Sequence, residues 1–218
     1  MRLEELSEKS VLKYVVISLL TIMLTTIIVV ISLNFETLKN NFFDRQVETL
    51  TIIPPNENDI LRIVFTGVST PLTPYIAQQS VVISINNKNY VFDAGSRSTA
   101  NFISEGSLEA ANIEAVFITH THSDHIGSLG ELILASWARG RTLPLPVYGA
   151  GKEIQNVVDG FNLAYKPDRD HRTAHHGQEF FVPENGLLQA QLFEVNENEL
   201  LIFEDENVQV FAFNVPHG

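Results

Sequence analysis

Apolar and polar positions follow different patterns in different parts of this chain. Residues 14–33, YVVISLLTIMLTTIIVVISL, are apolar and carry no charge. At a rise of about 1.5 Å per residue, such a helix is long enough to cross a hydrocarbon core of about 30 Å. The segment predicts an uncleaved signal anchor that forms a single transmembrane helix. A cleaved signal peptide and a core helix are the alternatives, but the exit at residues 31–35 has no Ala-x-Ala-like cleavage site.

The segments around this span set the expected domain organisation. Residues 1–13 form a tail, 14–33 the anchor, 34–59 a stalk broken by prolines, and 60–218 a globular domain. Basic residues are slightly more frequent before the span than after it, which predicts a cytoplasmic N-terminus and a periplasmic or extracellular globular domain. The residues counted are Arg2, Lys9 and Lys13 before the span, and Lys39 and Arg45 after it.

Beyond residue 60 the pattern alternates between strands and helices. Short apolar runs bounded by turn residues predict strands, and apolar positions three and four apart predict helices. Trp137 falls on the apolar face of one helix, which favours a core position. The order of elements predicts an α+β sandwich in which helices cover packed sheets. The predicted strands are 61–65, 80–85, 90–93, 115–119, 146–148 and 209–214, with a hairpin turn at 86–89, and the predicted helices are 98–105, 107–112, 126–138 and 152–163.

Charge and cysteine content narrow the chemistry. The formal net charge is −12, from 14 basic and 26 acidic residues, which argues against a broad surface for polyanions such as RNA. A local basic patch near Arg139 and Arg141 remains compatible with this charge. The acidic runs at 194–199 and 204–206 are typical of a solvated hairpin rim. Because the chain has no cysteine, any metal must be held by nitrogen and oxygen ligands.

Candidate metal ligands are concentrated directly after the apolar run 115–118. A strand places His120 and His122 on one face, and a turn into a helix brings Asp124 and His125 from the other side. This arrangement suits two metal ions side by side. A merely polar surface loop is the alternative, which four potential ligands at this spacing disfavour.

The motif His-x-His-x-Asp-His at 120–125 resembles the signature of the metallo-β-lactamase superfamily. Three further segments are similar to its ribonuclease Z and arylsulfatase-like branch: residues 63–72 with the turn Thr66-Gly67, the strand end Phe92-Asp93-Ala94-Gly95, and residues 143–149, PLPVYG preceded by leucine. Ala150 stands where that branch usually has proline. The resemblance covers about residues 60–218 and implies the αββα metallo-hydrolase fold, of which this chain holds the N-terminal half.

The resemblance also implies a ligand set. One metal would be held by His120, His122 and His217, and a second by Asp124 and His125 with a late histidine, while a later aspartate bridges both. Neither the bridging aspartate nor the late histidine is found among these 218 residues. We therefore expect the sequence to be part of a longer protein, and the 218-residue form to be impaired.

The expected chemistry is hydrolysis of a phosphodiester or related small ester by a metal-bound hydroxide. Two Zn²⁺ ions would lower the pKa of a shared water from ~15.7 toward ~7, with Mn²⁺ or iron as alternatives, and Asp124 would orient the water or accept its proton. The sequence leaves open a ribonuclease Z-like enzyme that processes RNA 3′ ends, although the region 151–177 is short for a tRNA-clasping arm. It also leaves open a non-catalytic, membrane-tethered metal-binding module.

Two further groups of polar residues are candidates for supporting roles. Asp93 ends its strand and is expected to fix a ligand histidine, with a turn cap as the alternative. His171, His175 and His176 have no spacing that brings them together as ligands. For His175 and His176 we expect a position on the substrate rim.

Overall fold

The computed structural model describes residues 12–30, 32, 34, 61–73 and 75–216. The chain divides into two compact units, Met1–Pro54 and Pro55–Gly218, and each is described by itself.

The first unit contains one long helix, α1 (Leu12–Val30), of 19 residues with a mean hydropathy of 2.2 and no burial. Its threonines do not leave their hydroxyls unpaired: Thr21, Thr25 and Thr26 each donate to a backbone carbonyl four residues earlier. In an apolar environment such as lipid, polar groups must form their hydrogen bonds within the protein. By length and composition α1 can cross a membrane, a property that a signal sequence shares.

The second unit is built on a sheet whose six strands lie in sequence order, β1 to β6. Neighbouring strands are antiparallel from β1 to β3 and parallel from β3 to β6. The turn between β2 and β3 places Asn86 and Asn87 at φ 50° and 64°, the left-handed pair that a two-residue hairpin needs. The strands are β1 (Leu61–Gly67), β2 (Ser80–Ile85), β3 (Lys88–Phe92), β4 (Ile113–Ile118), β5 (Leu145–Ala150) and β6 (Leu188–Phe193).

Helices cover one face of this sheet and enclose the main core. Val116 and Ile118 of β4 point into it, against Leu129 and Ile133. Trp137 is 2% exposed and donates its ring N–H to the carbonyl of Val182, so it is a core residue, as its spacing indicates. The helices are α2 (Ser98–Ser104), α3 (Ser123–Ile126), α4 (Leu129–Ala138), α5 (Glu153–Ala164) and α6 (Lys166–His176), with short 3-10 turns at Ala110–Asn112 and Pro183–Gly186.

A separate hairpin, β7 (Leu200–Glu204) and β8 (Gln209–Ala212), packs on the opposite face. Phe203 meets the rings of Tyr90 and Phe117 edge to face, at 5.9 and 5.5 Å. The Tyr90 hydroxyl donates to Asp205 Oδ2 at 2.6 Å. Asp205 in the hairpin turn therefore helps to hold the hairpin against the sheet. Its neighbour Glu206 is exposed, as the acidic pattern predicts for a solvated rim.

The mixed α+β fold with its central sheet agrees with the predicted class, while several local predictions are wrong. In place of the predicted helix 107–112, the structure has only a 3-10 turn at residues 110–112. The predicted helix 126–138 is interrupted after Ile126, because Gly127 and Ser128 turn the chain into α4. The pattern also missed β6, β7 and α6. α6 is very polar and is stabilised by pairs four residues apart, Lys166 with Asp170 and Asp168 with Arg172.

Candidate metal centre

The polar cluster lies where two adjacent parallel strands end. Phe92 of β3 pairs with Phe117 of β4, and the residues after each strand enter the same space at the carboxyl edge of the sheet. The two segments are joined by backbone hydrogen bonds: Asp93 N–H donates to Phe117 O, and Ala94 N–H donates to His125 O at 2.7 Å. The pairing of these two strand ends thus brings the candidate residues together.

Asp93 is 7% exposed and sits at φ 60°, a left-handed conformation that aspartate tolerates better than most residues. Its Oδ1 accepts the backbone N–H of Thr119 at 2.8 Å. Its Oδ2 lies 2.7 Å from Nδ1 of His125. The carboxylate of Asp93 therefore does more than cap a turn. It also contacts a candidate ligand histidine, as expected for a residue that orients that ligand.

Three imidazoles are grouped in front of this carboxylate. The ring centroid of His120 lies 4.1 Å from that of His125 and 4.5 Å from that of His122. Nε2 of His120 is 2.8 Å from Nδ1 of His122. Asp124, 8% exposed, lies in the first turn of the short helix α3 and has its Oδ2 3.6 Å from Nε2 of His125. The structure thus brings together the four residues of the predicted motif.

The donor set has the chemistry and nearly the spacing that zinc requires. Two nitrogens bound to one tetrahedral zinc at 2.0–2.1 Å lie about 3.3 Å apart, and the His120 and His122 nitrogens are 2.8 Å apart. A shift of a few tenths of an ångström would let both face one ion. Within the described part of the chain, however, no three ligand side chains already converge as a metal site. The residue types fit a divalent metal, and the His120–His122 pair nearly has the spacing for one.

An apolar cavity of about 570 Å³ lies beside His120, between the sheet and the hairpin β7–β8. Thr119, His120 and Asn214 contribute polar groups to its wall, and Phe117 and Tyr148 contribute aromatic surface. Burial raises the pKa of Tyr148, so this phenol stays neutral over the physiological range. On its cavity side, His120 therefore faces mostly apolar side chains.

The remaining predicted site residues lie elsewhere or outside the description. His217 is not among the described residues. His171, His175 and His176 are on the exposed surface of α6, where the rings of His171 and His175 are 6.1 Å apart and His176 packs on Phe181 at 5.1 Å. α6 packs against α5 and the 3-10 turn Pro183–Gly186.

The arginines considered for a basic patch have other partners. Arg141 donates to the backbone carbonyls of Ile113 and Pro144, and its burial lowers the pKa of this guanidinium to about 10. Arg139 lies 3.9 Å from Glu109. Arg141 thus supports the turn before β4 and the loop before β5, and the charge of Arg139 lies beside a carboxylate.

Sequence reasoning missed Thr119, whose hydroxyl lies within hydrogen-bonding distance of Asp93, His120 and His125. It also missed the close approach of the two loops: a Cβ built on Gly95 would lie 2.1 Å from the carbonyl oxygen of Asp124. The glycine after the strand-ending aspartate was a usable signal, since a glycine often marks close backbone contact. A single threonine before the motif carries no such signal.

Several curated proteins that are similar to this chain are ribonucleases Z. A ribonuclease Z of Mycolicibacterium paratuberculosis is 29% identical over 121 residues, covering 54% of this chain and 42% of the relative. A ribonuclease Z of Methanococcus maripaludis is 26% identical over 154 residues, or 70% of this chain and 43% of the relative. The chain therefore spans less than half the length of these curated relatives.

Among solved structures, the short form of human tRNase Z is similar at 21% identity with a TM-score of 0.49, covering 69% of this chain and 57% of that one. The family model of the metallo-beta-lactamase superfamily matches residues 74–192, more than half of the chain. That stretch includes β2 to β5, β6 except its last residue, Asp93, and the entire cluster from His120 to His125. With the ligand motif, the sheet and the family model in agreement, this chain belongs to the metallo-beta-lactamase superfamily, a class of metal-dependent hydrolases.

Proposed function

We propose that the protein is a membrane-anchored, dinuclear-zinc hydrolase of phosphodiesters or related esters. The observation that carries the proposal is the grouping of His120, His122, Asp124 and His125 at the ends of β3 and β4, with Asp93 bonded to one imidazole. Histidine clusters supported by a carboxylate are typical of catalytic zinc sites. The expected role of His217 as a further ligand stays part of the proposal.

Zinc would supply a water of lowered pKa and would polarise the ester oxygen, and Mn²⁺ or iron could take the same nitrogen and oxygen donors. The chain's own residues then have distinct tasks. His120 and His122 present two nitrogens to one position, and Asp124 and His125 present Oδ2 and Nε2 to the other. Asp124, buried and close to His125, orients the attacking water and takes up its proton.

Charge and hydrophobicity favour a compact ester over RNA as the substrate. The net charge is −12, Arg139 and Arg141 are engaged with the protein, and the cavity beside His120 is lined largely by apolar side chains. A long polyanion gains most of its affinity from Lys and Arg contacts to phosphates. A substrate with one phosphodiester and an apolar group suits this surface better.

RNA 3′ processing is the second candidate, because the curated relatives described above are ribonucleases Z. The two candidate functions predict a different dependence of the hydrolysis rate on salt concentration. Hydrolysis of RNA that depends on many phosphate contacts weakens steeply as salt is raised, whereas hydrolysis of a small ester does not.

We also propose that α1 anchors the protein in a membrane, with the globular unit on the non-cytoplasmic side. The length and hydropathy of α1 and the small excess of basic residues before it support this arrangement.

The test uses the protein expressed from its complete coding sequence in mild detergent. Zinc content is measured together with turnover of bis(p-nitrophenyl) phosphate and of a precursor tRNA that carries a 3′ trailer. We expect turnover of the diester and a loss of at least ~100-fold in Asp124→Asn, the scale of positioned acid–base groups. His176→Ala, on α6, is the matched control. Cleavage of the precursor tRNA alone would favour the ribonuclease, and metal binding without turnover of either substrate would favour a non-catalytic module.

A further inference from the structure

Four polar atoms surround the hydroxyl of Thr119, the residue directly before the histidine motif. Its Oγ1 lies 3.0 Å from Oδ1 and from Oδ2 of Asp93. It also lies 3.1 Å from Nδ1 of His120 and 3.2 Å from Nδ1 of His125. One side chain is therefore in contact with a buried carboxylate and with two of the candidate ligands.

The chemistry of these groups favours one set of hydrogen-bond directions. An ionised carboxylate only accepts, and a hydroxyl has one proton to donate and two lone pairs. The Thr119 hydroxyl therefore donates to Asp93, and its lone pairs are left for an N–H of an imidazole. His125 has the closer partner in Asp93, at 2.7 Å, which leaves a lone pair of the Thr119 hydroxyl in reach of an Nδ1–H of His120, at 3.1 Å.

We propose that Thr119 is a positioning residue that transmits the influence of Asp93 to His120, so that one carboxylate sets the tautomers of two ligand histidines. Asp93 holds the Nδ1 proton of His125 directly and that of His120 through the Thr119 hydroxyl. Each ring then keeps its proton on Nδ1 and presents an unprotonated Nε2. The metal side of this inference rests on the proposed function, but the tautomers do not.

The contact between His120 and His122 is compatible with an Nδ1–H tautomer at His120, because the unprotonated Nε2 of His120 can then accept Nδ1–H of His122. This Nε2 faces Nδ1 of His122 at 2.8 Å, the position at which the two rings would share an ion. A ligand imidazole coordinates through an unprotonated nitrogen, and the group bonded to its other nitrogen decides which one that is. Without the Thr119 hydroxyl, Asp93 no longer favours a proton on Nδ1 of His120.

Thr119 can be changed without disturbing the core. It is exposed, and its backbone N–H, which donates to Asp93 Oδ1, is kept by every substitution except proline. Thr119→Val preserves the shape and the β-branch while removing the hydroxyl. Thr119→Ser keeps the hydroxyl and is the matched control.

The experiment uses the full chain in detergent with ¹⁵N-labelled histidine. Long-range ¹H–¹⁵N spectra of the metal-free protein report the tautomer of each ring, with His120 assigned through His120→Gln. We expect the wild type and Thr119→Ser to hold the proton of His120 on Nδ1, and Thr119→Val to shift it toward Nε2 while His125 stays unchanged. In competition with a chromophoric chelator, the valine variant should bind Zn²⁺ about 10-fold more weakly or worse, the scale of lost outer hydrogen bonds.

An unchanged His120 tautomer in Thr119→Val overturns the inference, whatever happens to zinc affinity. A changed tautomer with unchanged zinc affinity overturns its role in metal binding. If the wild type binds no zinc through the motif, the proposed function fails, and the spectra of the metal-free protein still decide whether Thr119 acts as described.

Discussion

Gly95 and Asp124 touch through their backbones: a Cβ on Gly95 would lie 2.1 Å from the Asp124 carbonyl oxygen and 2.7 Å from the carbonyl carbon of Gln78. Neither neighbour is the mobile end of a side chain. The glycine after β3 thus lets the loop that carries Asp93 lie directly against the helix that carries Asp124. Any side chain at position 95 must push these two segments apart.

Replacing Gly95 with alanine should therefore destabilise the protein by about 2 kcal/mol or more, as overpacking against fixed neighbours does. Thermal unfolding of the full chain in detergent measures this through the fluorescence of Trp137, the one tryptophan, which is 2% exposed. Gly160→Ala, in α5 with nothing within 4 Å of the new Cβ, is the control and should stabilise by about 0.5–1 kcal/mol. Equal melting temperatures for the two variants would contradict the close approach.

Asp93→Asn should weaken zinc binding about 10- to 100-fold with little loss of fold, because asparagine also tolerates the left-handed backbone at this position. An amide has one acceptor oxygen where the carboxylate has two. Thr119 and His125 therefore lose the shared acceptor that holds both side chains. Chelator competition measures the affinity, and the melting curve controls for folding. Undiminished affinity would remove Asp93 from the metal centre.

The contact between Tyr90 and Asp205 predicts an acid-sensitive hairpin. Burial raises the pKa of Asp205, but hydrogen bonds from Tyr90, Asn207 and Val208 and the charge of Lys88 lower it overall below its usual 3.8. The folded state then holds its proton less readily than the unfolded chain, so this stabilisation is complete above the usual value and is lost as the pH falls through the lower folded-state pKa.

Melting temperatures measured between about pH 5 and about pH 3 should therefore fall less steeply in Asp205→Asn than in the wild type. Glu105, whose pKa is also lowered because bonds from Ser107 and Arg62 outweigh its burial, leaves a residual slope in both proteins. Glu197→Gln, at an exposed position outside the hairpin, serves as the control. Identical acid profiles for Asp205→Asn and the wild type would show that the hairpin turn contributes nothing to the dependence.

If α1 spans a membrane, the protein should remain in the pellet after high-salt and carbonate washes, since charge does not hold a span in place. Immunoblotting of the fractions, with a peripheral membrane protein as the control for extraction, measures this. A soluble form whose N-terminus follows Leu33 would identify the segment as a cleaved signal peptide.

His175→Ala and His176→Ala should leave the zinc content unchanged, whereas His120→Ala should reduce it. Both residues on α6 are exposed, and their ring contacts are with each other, His171 and Phe181. Metal analysis after dialysis against a weak chelator measures the difference. Loss of zinc in His176→Ala together with full zinc in His120→Ala would move the metal centre to α6.

The candidate metal centre could be predicted from the sequence because its side chains are close neighbours along the chain. A strand followed by a turn is enough to group His120, His122, Asp124 and His125, and the structure needs only the parallel pairing of β3 and β4 to add Asp93. Thr119 could not be found in this way, since its role depends on distances between two loops.

The missed elements have different physical causes. β6 alternates Leu188, Ala190 and Leu192 with glutamines, a period of two that was available in the sequence. α6 gave no apolar pattern, because its two buried positions are Arg169 and Thr173. Arg169 is accommodated by donating to the carbonyl of Asn162, a partner on another helix that no local pattern reveals.

The left-handed backbone at Asp93 also reverses the usual ranking of substitutions at an acidic site. Glutamate preserves the charge, yet its longer side chain would overshoot Thr119 and His125, and it is a poor residue for a φ of 60°. Asparagine and glycine suit the backbone but abolish the charge. Aspartate alone combines the two properties, so natural or laboratory variation at position 93 has no conservative route: every single replacement gives up either the fit of the chain or the carboxylate in front of the histidines.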